Sequence, residues 1–166
     1  MRNVRKNYNV FVDTRGYAGQ TEDFSAPKLT LKTEEFKGGG MFTPMEITMG
    51  SEKLEAGFTL LSSDPYILSR FSVVEGAQTQ FSVREVLESQ DGTVTPQIHT
   101  IRGKVKEIDP GESKAGEKAT TKVGIACSYY KLTQGALVIH EIDVPNMVWN
   151  TNGVDMLAGI RAALGI

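Results

Sequence analysis

The side chains best suited to covalent chemistry in this sequence are one thiol and one imidazole, and both lie in segments with strand character. Cys127 is the only cysteine, and His99 is one of two histidines. Together they could act as a nucleophile and its general base. However, Cys127 alternates with Val123, Ile125 and Tyr129, which predicts a small buried side chain on an apolar face. We therefore predict that the protein is not an enzyme, and we keep a hydrolase using Cys127 or His99 as an alternative.

A run of three glycines could indicate a phosphate-binding loop. Gly38, Gly39 and Gly40 are followed by Met41 and, shortly after, by Pro44. A P-loop requires Gly-Lys-Ser or Gly-Lys-Thr at the start of a helix, and a proline at this place interrupts such a helix. The glycines therefore predict a flexible loop, or a loop that a partner orders, and no cofactor.

Several carboxylates in one loop could indicate a calcium site. Asp109, Glu112 and Glu117 lie close together in the sequence, but they do not follow the ligand spacing of an EF-hand. Lys114 and Lys118 lie among them and would compete with a cation. The pattern favours solvated charges, or ion pairs across an interface between subunits, and we predict no metal.

The overall charge argues against a nucleic-acid-binding protein. The sequence has 18 basic and 20 acidic residues, and its net charge is −2. Binding to nucleic acid usually depends on an excess of Lys and Arg contacts to phosphates. A small nucleic-acid-binding β-barrel is therefore the less favoured alternative. Arg2, Arg5 and Lys6 are predicted to lie in a solvated N-terminal arm.

No segment is predicted to cross a membrane. No stretch approaches the ~20 apolar residues that a spanning helix needs, and residues 1–12 lack the apolar core of a signal peptide. A single cysteine cannot form an internal disulfide, which is compatible with a reducing compartment. We expect a soluble protein that is made in the cytoplasm and has no membrane anchor.

Alternation of apolar and polar residues dominates the chain and predicts a mainly antiparallel β fold. Along residues 79–89, Phe81, Val83 and Leu87 share one face of a strand, while Ser82 and Arg84 lie on the other. Further strands are predicted over residues 54–60, 94–108, 122–132 and 136–143. This pattern indicates an antiparallel β-sandwich or β-barrel in which residues 1–166 form a single domain.

Two helices are predicted beside the strands. Asp64 or Ser63 could cap a short flanking helix over residues 65–74, because Pro65 suits the first helical position. A C-terminal helix is predicted over residues 154–164, with Asn152 as its cap, although Gly159 weakens it.

Residues spread over most of the chain resemble the major tail tube proteins of contractile-tailed bacteriophages. The segments that carry the resemblance are residues 27–30, 38–41, 102–117, 127–133, 141–143, 146–147 and 152–155, followed by Leu157 and Arg161. Each segment alone is weakly specific, but their order and spacing are specific together. The resemblance is loose over residues 43–96.

The resemblance implies a β-rich subunit that forms six-membered rings, which stack into a tube with a β-barrel wall shared between subunits. It also implies a surrounding tail sheath, a tape-measure protein inside the tube, and baseplate and terminator proteins at its ends. DNA would pass through the lumen without specific binding. The protein would be part of the virion tail, assembled in the host cytoplasm. A tube of the bacteriocin or type VI kind, carrying no DNA, is the alternative.

The two glycine-containing loops are the predicted contacts between subunits. The first loop contains Gly38, Gly39, Gly40 and Met41. The second, residues 108–121, is long for a hairpin connection, and long ordered loops usually serve interactions. Its predicted interface ion-pair residues are Glu107, Asp109, Glu112, Lys114 and Glu117. Arg70, on the short helix, is the predicted contact with the sheath, and the alternative is that this helix only closes one end of the barrel.

Overall fold

The computed structural model describes residues 1–166, and antiparallel strands dominate it. The strands are β1 (Val4–Val12), β2 (Arg15–Gly16), β3 (Thr21–Ser25), β4 (Leu31–Phe36), β5 (Met45–Ser51), β6 (Glu55–Leu60), β7 (Thr79–Glu88), β8 (Val94–Asp109), β9 (Thr121–Gln134), β10 (Leu137–Asp143), β11 (Val148–Thr151) and β12 (Val154–Asp155). The helices are α1 (Pro65–Leu68) and α2 (Ala158–Leu164). The predicted mainly β fold with two short helices is confirmed. No helix has the length and apolar character needed to cross a membrane.

The main sheet is built around strand β9, which has different partners along its length. The strand order is β12-β11-β10-β9-β8-β7-β1-β2, with β6 added on β9 and β3 added on β6. The first half of β9 pairs with β6, and the second half pairs with β10. Because β6 and β3 share one hydrophobic cluster with β1, β7 and β8, the sheet folds around a common core.

Alternation along the strands supplies this core. One row across five strands consists of Val12, Phe81, Ile101, Tyr130 and Ile142, which are neighbours in register and are all buried. Side chains opposite each other in an antiparallel pair lie close enough to pack. The five strands predicted between residues 54 and 143 are confirmed to within two residues at either end.

The face predicted for Tyr129 was wrong, because β9 contains a β-bulge. Register shifts at Ser128, where Arg102 pairs with Tyr129 but Gly103 pairs with Cys127. One extra residue reverses the side-chain alternation. Tyr130 is therefore buried, whereas Tyr129, predicted to share the apolar face of Cys127, points to the opposite face.

The short helix α1 ends earlier than predicted. Asp64 caps it, because its carboxylate accepts a hydrogen bond from the Tyr66 N–H at 2.8 Å. The Ser69 hydroxyl donates to the Tyr66 carbonyl at 2.7 Å, which competes with continuation of the helix. Only Ile67 is buried, and it closes one end of the core.

The C-terminal helix begins later than predicted, and no side chain caps its first turn. Asn152 and Gly153 have φ angles of 51° and 82°, which place them in a tight turn between β11 and β12. Asp155 accepts a hydrogen bond from the Leu157 N–H at 3.1 Å and forms an ion pair with Arg161. The prediction that Asn152 caps this helix was therefore wrong.

The N-terminal residues form a strand and not the predicted solvated arm. Residues from Val4 to Val12 pair with β7 along most of their length, and Arg5 binds the carboxylate of Glu85 at 3.1 Å. The other edge of β1 is paired by β2 only at Phe11 and Val12. Most of this edge therefore has unpaired backbone donors and acceptors.

Candidate assembly surface

Strands β4 and β5 form a hairpin outside the main sheet. Every residue of both strands is exposed, and neither strand pairs with the rest of the molecule. One face of this hairpin is nevertheless largely apolar. It carries Phe36, Met45, Ile47 and Met49, which are between 42% and 57% exposed, beside the charged Glu34, the register partner of Ile47. An isolated two-stranded hairpin is marginally stable in water, so such a face is expected to be covered.

The tip of this hairpin is the predicted glycine loop. Met41 N–H donates to the Gly38 carbonyl at 3.2 Å, and Gly40 has a φ of 84°, which favours glycine. Gly39 lies in the same turn. Phe42, directly after the turn, is 97% exposed. The structure therefore places residues 38–41 at the end of an apolar projection.

An apolar groove lies between the root of the hairpin and the C-terminal residues. It is lined by Met49 from β5, Trp149 from β11, and Met156 and Ile160 around α2, with Leu31 at its edge. Helix α2 has no buried residue. The hairpin and the C-terminal helix thus present one continuous apolar region that the chain leaves exposed.

The second predicted loop, residues 110–120, joins the end of β8 to the start of β9 and is mostly exposed. Asp109 accepts from the Gly111 N–H at 2.9 Å, and Lys118 reaches Glu22 of β3 at 2.7 Å. The five predicted ion-pair residues are all exposed, and none forms an ion pair within the chain: Glu107, Asp109, Glu112, Lys114 and Glu117.

Arg70 lies beside α1 and packs against its own chain. Its guanidinium is 4.4 Å from the centre of the Tyr66 ring, which also lies 4.2 Å from the Arg15 guanidinium. The Tyr66 hydroxyl donates to Asp13, and this hydrogen bond raises the pKa of the tyrosine. These contacts fix Arg70 at the surface next to the end of the core that Ile67 closes.

A buried polar chain, which the sequence analysis missed, crosses three neighbouring strands. Glu85 and His99 are 4% and 3% exposed, and the His99 Nε2 atom lies 3.1 Å from the Glu85 carboxylate. The His99 Nδ1 atom lies 2.9 Å from the Tyr130 hydroxyl. Arg5 balances the buried carboxylate from the surface. The detectable signal was that Glu85 has the same parity as Phe81 and Val83 on β7.

The buried hydrogen bonds between Glu85, His99 and Tyr130 lead us to expect that the protein loses stability in mild acid. Burial lowers the pKa of His99 below its ordinary value of about 6.5. The unfolded chain therefore binds more protons once the pH falls below about 6.5, so the stability contributed by neutral His99 is complete above that value and is lost toward the folded pKa. The urea midpoint of the unassembled chain is expected to fall between about pH 7.5 and about pH 5.5.

Substitution of the two histidines separates this effect from general acid denaturation. His99→Gln should reduce the fall in the urea midpoint between the two pH values. His140→Gln should show the same fall as the original chain, because His140 does not belong to the buried Glu85–His99–Tyr130 set. Equal falls for the original chain and His99→Gln would contradict the assignment.

Cys127 and His99 do not form the catalytic pair that was kept as an alternative. Cys127 faces Gly103 in register, four residues along β8 from His99, and His99 is already bonded to Glu85 and Tyr130. Burial raises the pKa of the Cys127 thiol to about 12, so the thiolate needed for nucleophilic attack is not formed at neutral pH. Cys127 is only partly buried, so the predicted buried side chain is confirmed in its packing against the core but not in full burial.

The fold defines the class of protein. Its architecture matches a chain in the sheath–tube complex of the extracellular contractile injection system PVC, with a TM-score of 0.57, 9% identity, and coverage of 76% of this chain and 87% of that one. A chain in the baseplate structure of the anti-feeding prophage matches with a TM-score of 0.52, 12% identity, and coverage of 76% and 90%. The chain therefore shares the fold of proteins from contractile injection systems.

Sequence comparison gives the family. The sequence model of the family "Phage tail tube protein FII" matches residues 2–165, and the chain belongs to this family. The tail tube protein of Escherichia phage P2 is 31% identical over 166 residues, covering 97% of this chain and 96% of that protein. The major tail tube protein of Serratia phage KSP20 is 28% identical over 162 residues, covering 96% and 94%. The resemblance to phage tail tube proteins is confirmed, and the protein is a structural component of a phage tail.

Proposed function

We propose that six copies of this chain form a ring, and that stacked rings make the tube through which a phage genome leaves the virion. Residues 1–166 act as one domain in this assembly. The observation that carries the proposal is the exposed apolar face of the β4–β5 hairpin, which another copy would cover. The unpaired edge of β1 supports it, because another copy could complete the hydrogen bonds there.

The proposed partners extend along the tube. A tail sheath surrounds it, a tape-measure protein fills it before ejection, and baseplate and terminator proteins bind its ends. Arg70 is the proposed sheath contact, since its contacts with Tyr66 fix it at the surface beside α1. Both relatives named above come from phages, which favours genome transit over an empty tube of the bacteriocin or type VI kind.

Electron microscopy of the purified protein tests the proposal directly. Negative staining over a range of protein concentrations should show rings or tubes. A compact, monodisperse single chain at every concentration, with no annular or filamentous particles, would refute it.

Deletion of residues 110–116 should separate folding from assembly. These residues lie in the exposed loop outside the core, so the circular dichroism spectrum and the urea midpoint should stay close to those of the original chain. Tube formation should be lost, because the loop and its unpaired charges are the proposed contacts between rings. Normal tubes from the deletion variant would show that the loop is not a required contact.

A matched control keeps the loop and changes only its charges. Glu112→Gln with Lys114→Gln removes two proposed interface ion pairs without shortening the chain. Exposed ion pairs contribute about 0.2–1 kcal/mol each, so this variant should still form tubes but should need higher protein concentration or lower salt.

A further inference from the structure

Strand β1 contains one extra residue on the edge that no other strand covers. Its register with β7 shifts between Arg5 and Asn7, so Lys6 has no partner residue on β7. This bulge lies outside the short stretch that β2 pairs, which consists of Phe11 and Val12. Because an extra residue reverses the alternation of a strand, the bulge determines which backbone groups before it point to the free edge.

The bulge places Arg5 on the core side of the strand. Arg5 is opposite the buried Leu87, and residues opposite each other in an antiparallel pair share one face. From this position the Arg5 Nε atom lies 3.1 Å from the Glu85 carboxylate. Without the extra residue, pairing would continue from Tyr8 with Lys6 opposite Leu87, and Arg5 would point away from the core. Two neighbouring cations therefore compete for one buried carboxylate, and the bulged register gives it to Arg5.

The core holds this carboxylate in one place, so the cation must come to it. Glu85 is 4% exposed, and an ionised carboxylate can only accept hydrogen bonds. His99 therefore donates to Glu85 through Nε2 at 3.1 Å and accepts the Tyr130 hydroxyl at Nδ1 at 2.9 Å. The ring of Phe24 on β3 packs against His99, with 5.4 Å between the ring centres. Side chains from β3, β8 and β9 thus fix the position of the carboxylate on β7.

An ion pair of this kind contributes more to specificity than to stability. Desolvation of the buried carboxylate offsets much of its attraction to Arg5, and buried polar groups are best attested as devices that fix register. A guanidinium group is more weakly hydrated than an ammonium group and holds its donors in a rigid fork. Arg5 is therefore a better partner than Lys6 for the Glu85 carboxylate, and the bulged register is favoured over the straight one.

We propose that Glu85, held by His99 and Tyr130, is a register lock: it selects Arg5 over Lys6 and so sets the backbone groups that the free edge of β1 offers to the next copy. The part that concerns the next copy rests on the proposed tube function. Pairing between copies requires donors to meet acceptors along this edge, and a shift of one residue removes that match. The lock excludes a second register that two adjacent cations would otherwise allow.

Disulfide formation in the unassembled chain reports the register of β1. Both reporters are built in a Cys127→Ser chain, which leaves no other thiol. The bulge reporter carries Val4→Cys with Glu88→Cys, two positions that are register partners in the structure. The straight reporter carries Val4→Cys with Ser89→Cys, which are opposite each other only if Lys6 is paired. Cysteines that do not face each other cannot be bridged without backbone movement, so the yields of the two disulfides measure the two registers.

Moving the arginine by one residue tests the lock. Arg5→Gln with Lys6→Arg should lower the yield of the bulge disulfide several-fold and raise that of the straight disulfide. Arg5→Gln alone, with Lys6 as the remaining cation, should shift the yields in the same direction by a smaller factor. Lys6→Gln has the same net charge as these variants and should keep the original yields, because Lys6 does not contact Glu85.

Three results would overturn the register lock. The first is an original yield of the bulge disulfide in the Arg5→Gln, Lys6→Arg chain. The second is an equal loss of that disulfide in Lys6→Gln. The third is a loss of both disulfides in both Arg5 variants, because Arg5 would then stabilise the strand without selecting its register.

Sedimentation of tubes tests the consequence for assembly. Without the reporter cysteines, the Arg5→Gln, Lys6→Arg chain should form several-fold fewer tubes than Lys6→Gln at the same protein concentration. Tubes in the original amount, from a chain whose disulfides report the straight register, would overturn the role of the lock in contacts between copies. Absence of tubes from the original chain would instead refute the proposed function, and the register measured in the single chain would not depend on that result.

Discussion

Replacement of Phe36 and Ile47 by serine is expected to leave a folded chain that no longer forms tubes. Both side chains lie on the apolar face of the β4–β5 hairpin, and neither belongs to the core. Full burial of such a side chain contributes about 1.5–3 kcal/mol. A loss of about 2 kcal/mol at each contact weakens each contact about 30-fold, and every copy in a tube makes the same contact. The measurement is the fraction of protein that sediments as tubes, with circular dichroism as the test of folding.

The opposite face of the same hairpin supplies the control. Thr33→Ser with Thr48→Ser changes two paired residues that point away from the apolar face. This variant should form tubes in the original amount. If the Phe36 and Ile47 variant sediments like the control, the hairpin is not the surface that copies share.

Gly103→Ala is expected to destabilise the fold strongly. A Cβ atom at this position would lie 2.2 Å from the Ala126 carbonyl oxygen and 3.0 Å from the Cys127 Cα atom. These are backbone atoms of the paired strand, so relief of the clash requires the β8–β9 pairing to open beside the bulge. We expect a loss of about 3 kcal/mol in the free energy of unfolding, at the upper end of overpacking effects.

A second glycine gives the matched substitution. Gly159 lies inside α2, and nothing lies within 4 Å of a Cβ atom added there. Gly159→Ala should raise the free energy of unfolding by about 0.5–1 kcal/mol, because alanine loses less conformational entropy in a helix. Urea unfolding of both variants checks the pair, and a Gly103→Ala chain as stable as the original would mean that the close approach of β8 and β9 is absent in solution.

Strand β7, the middle of β8 and the first half of β9 could be predicted because each buries one face, so that burial imposes alternation. Strands β4 and β5 were missed because their apolar residues alternate without a core to cover them, and a bulge between Lys32 and Thr33 shifts their register. Residues 38–41 were nevertheless predicted correctly as an irregular loop, since three glycines exclude a regular element.

The face of Tyr129 and the length of α1 depended on single residues. Ser128 is the extra residue of the bulge in β9, and because of it Tyr130 lies in the core in place of Tyr129. The alternation of residue types gives no sign of such an insertion. The Ser69 hydroxyl ends a helix whose apolar residues continue to Val74. The buried Glu85 could have been found from its parity on β7, but its partners His99 and Tyr130 depend on register between strands.

The pairing of β1 with β7 has a consequence for the order of synthesis. The register partner of Val4 is Glu88, so the first strand leaves the ribosome long before its partner exists. During that interval neither edge of the strand is hydrogen-bonded, and another nascent chain could bind it. Arg2, Arg5 and Lys6 place positive charge on or beside this strand, and like charges of this kind oppose the pairing of two such exposed strand edges.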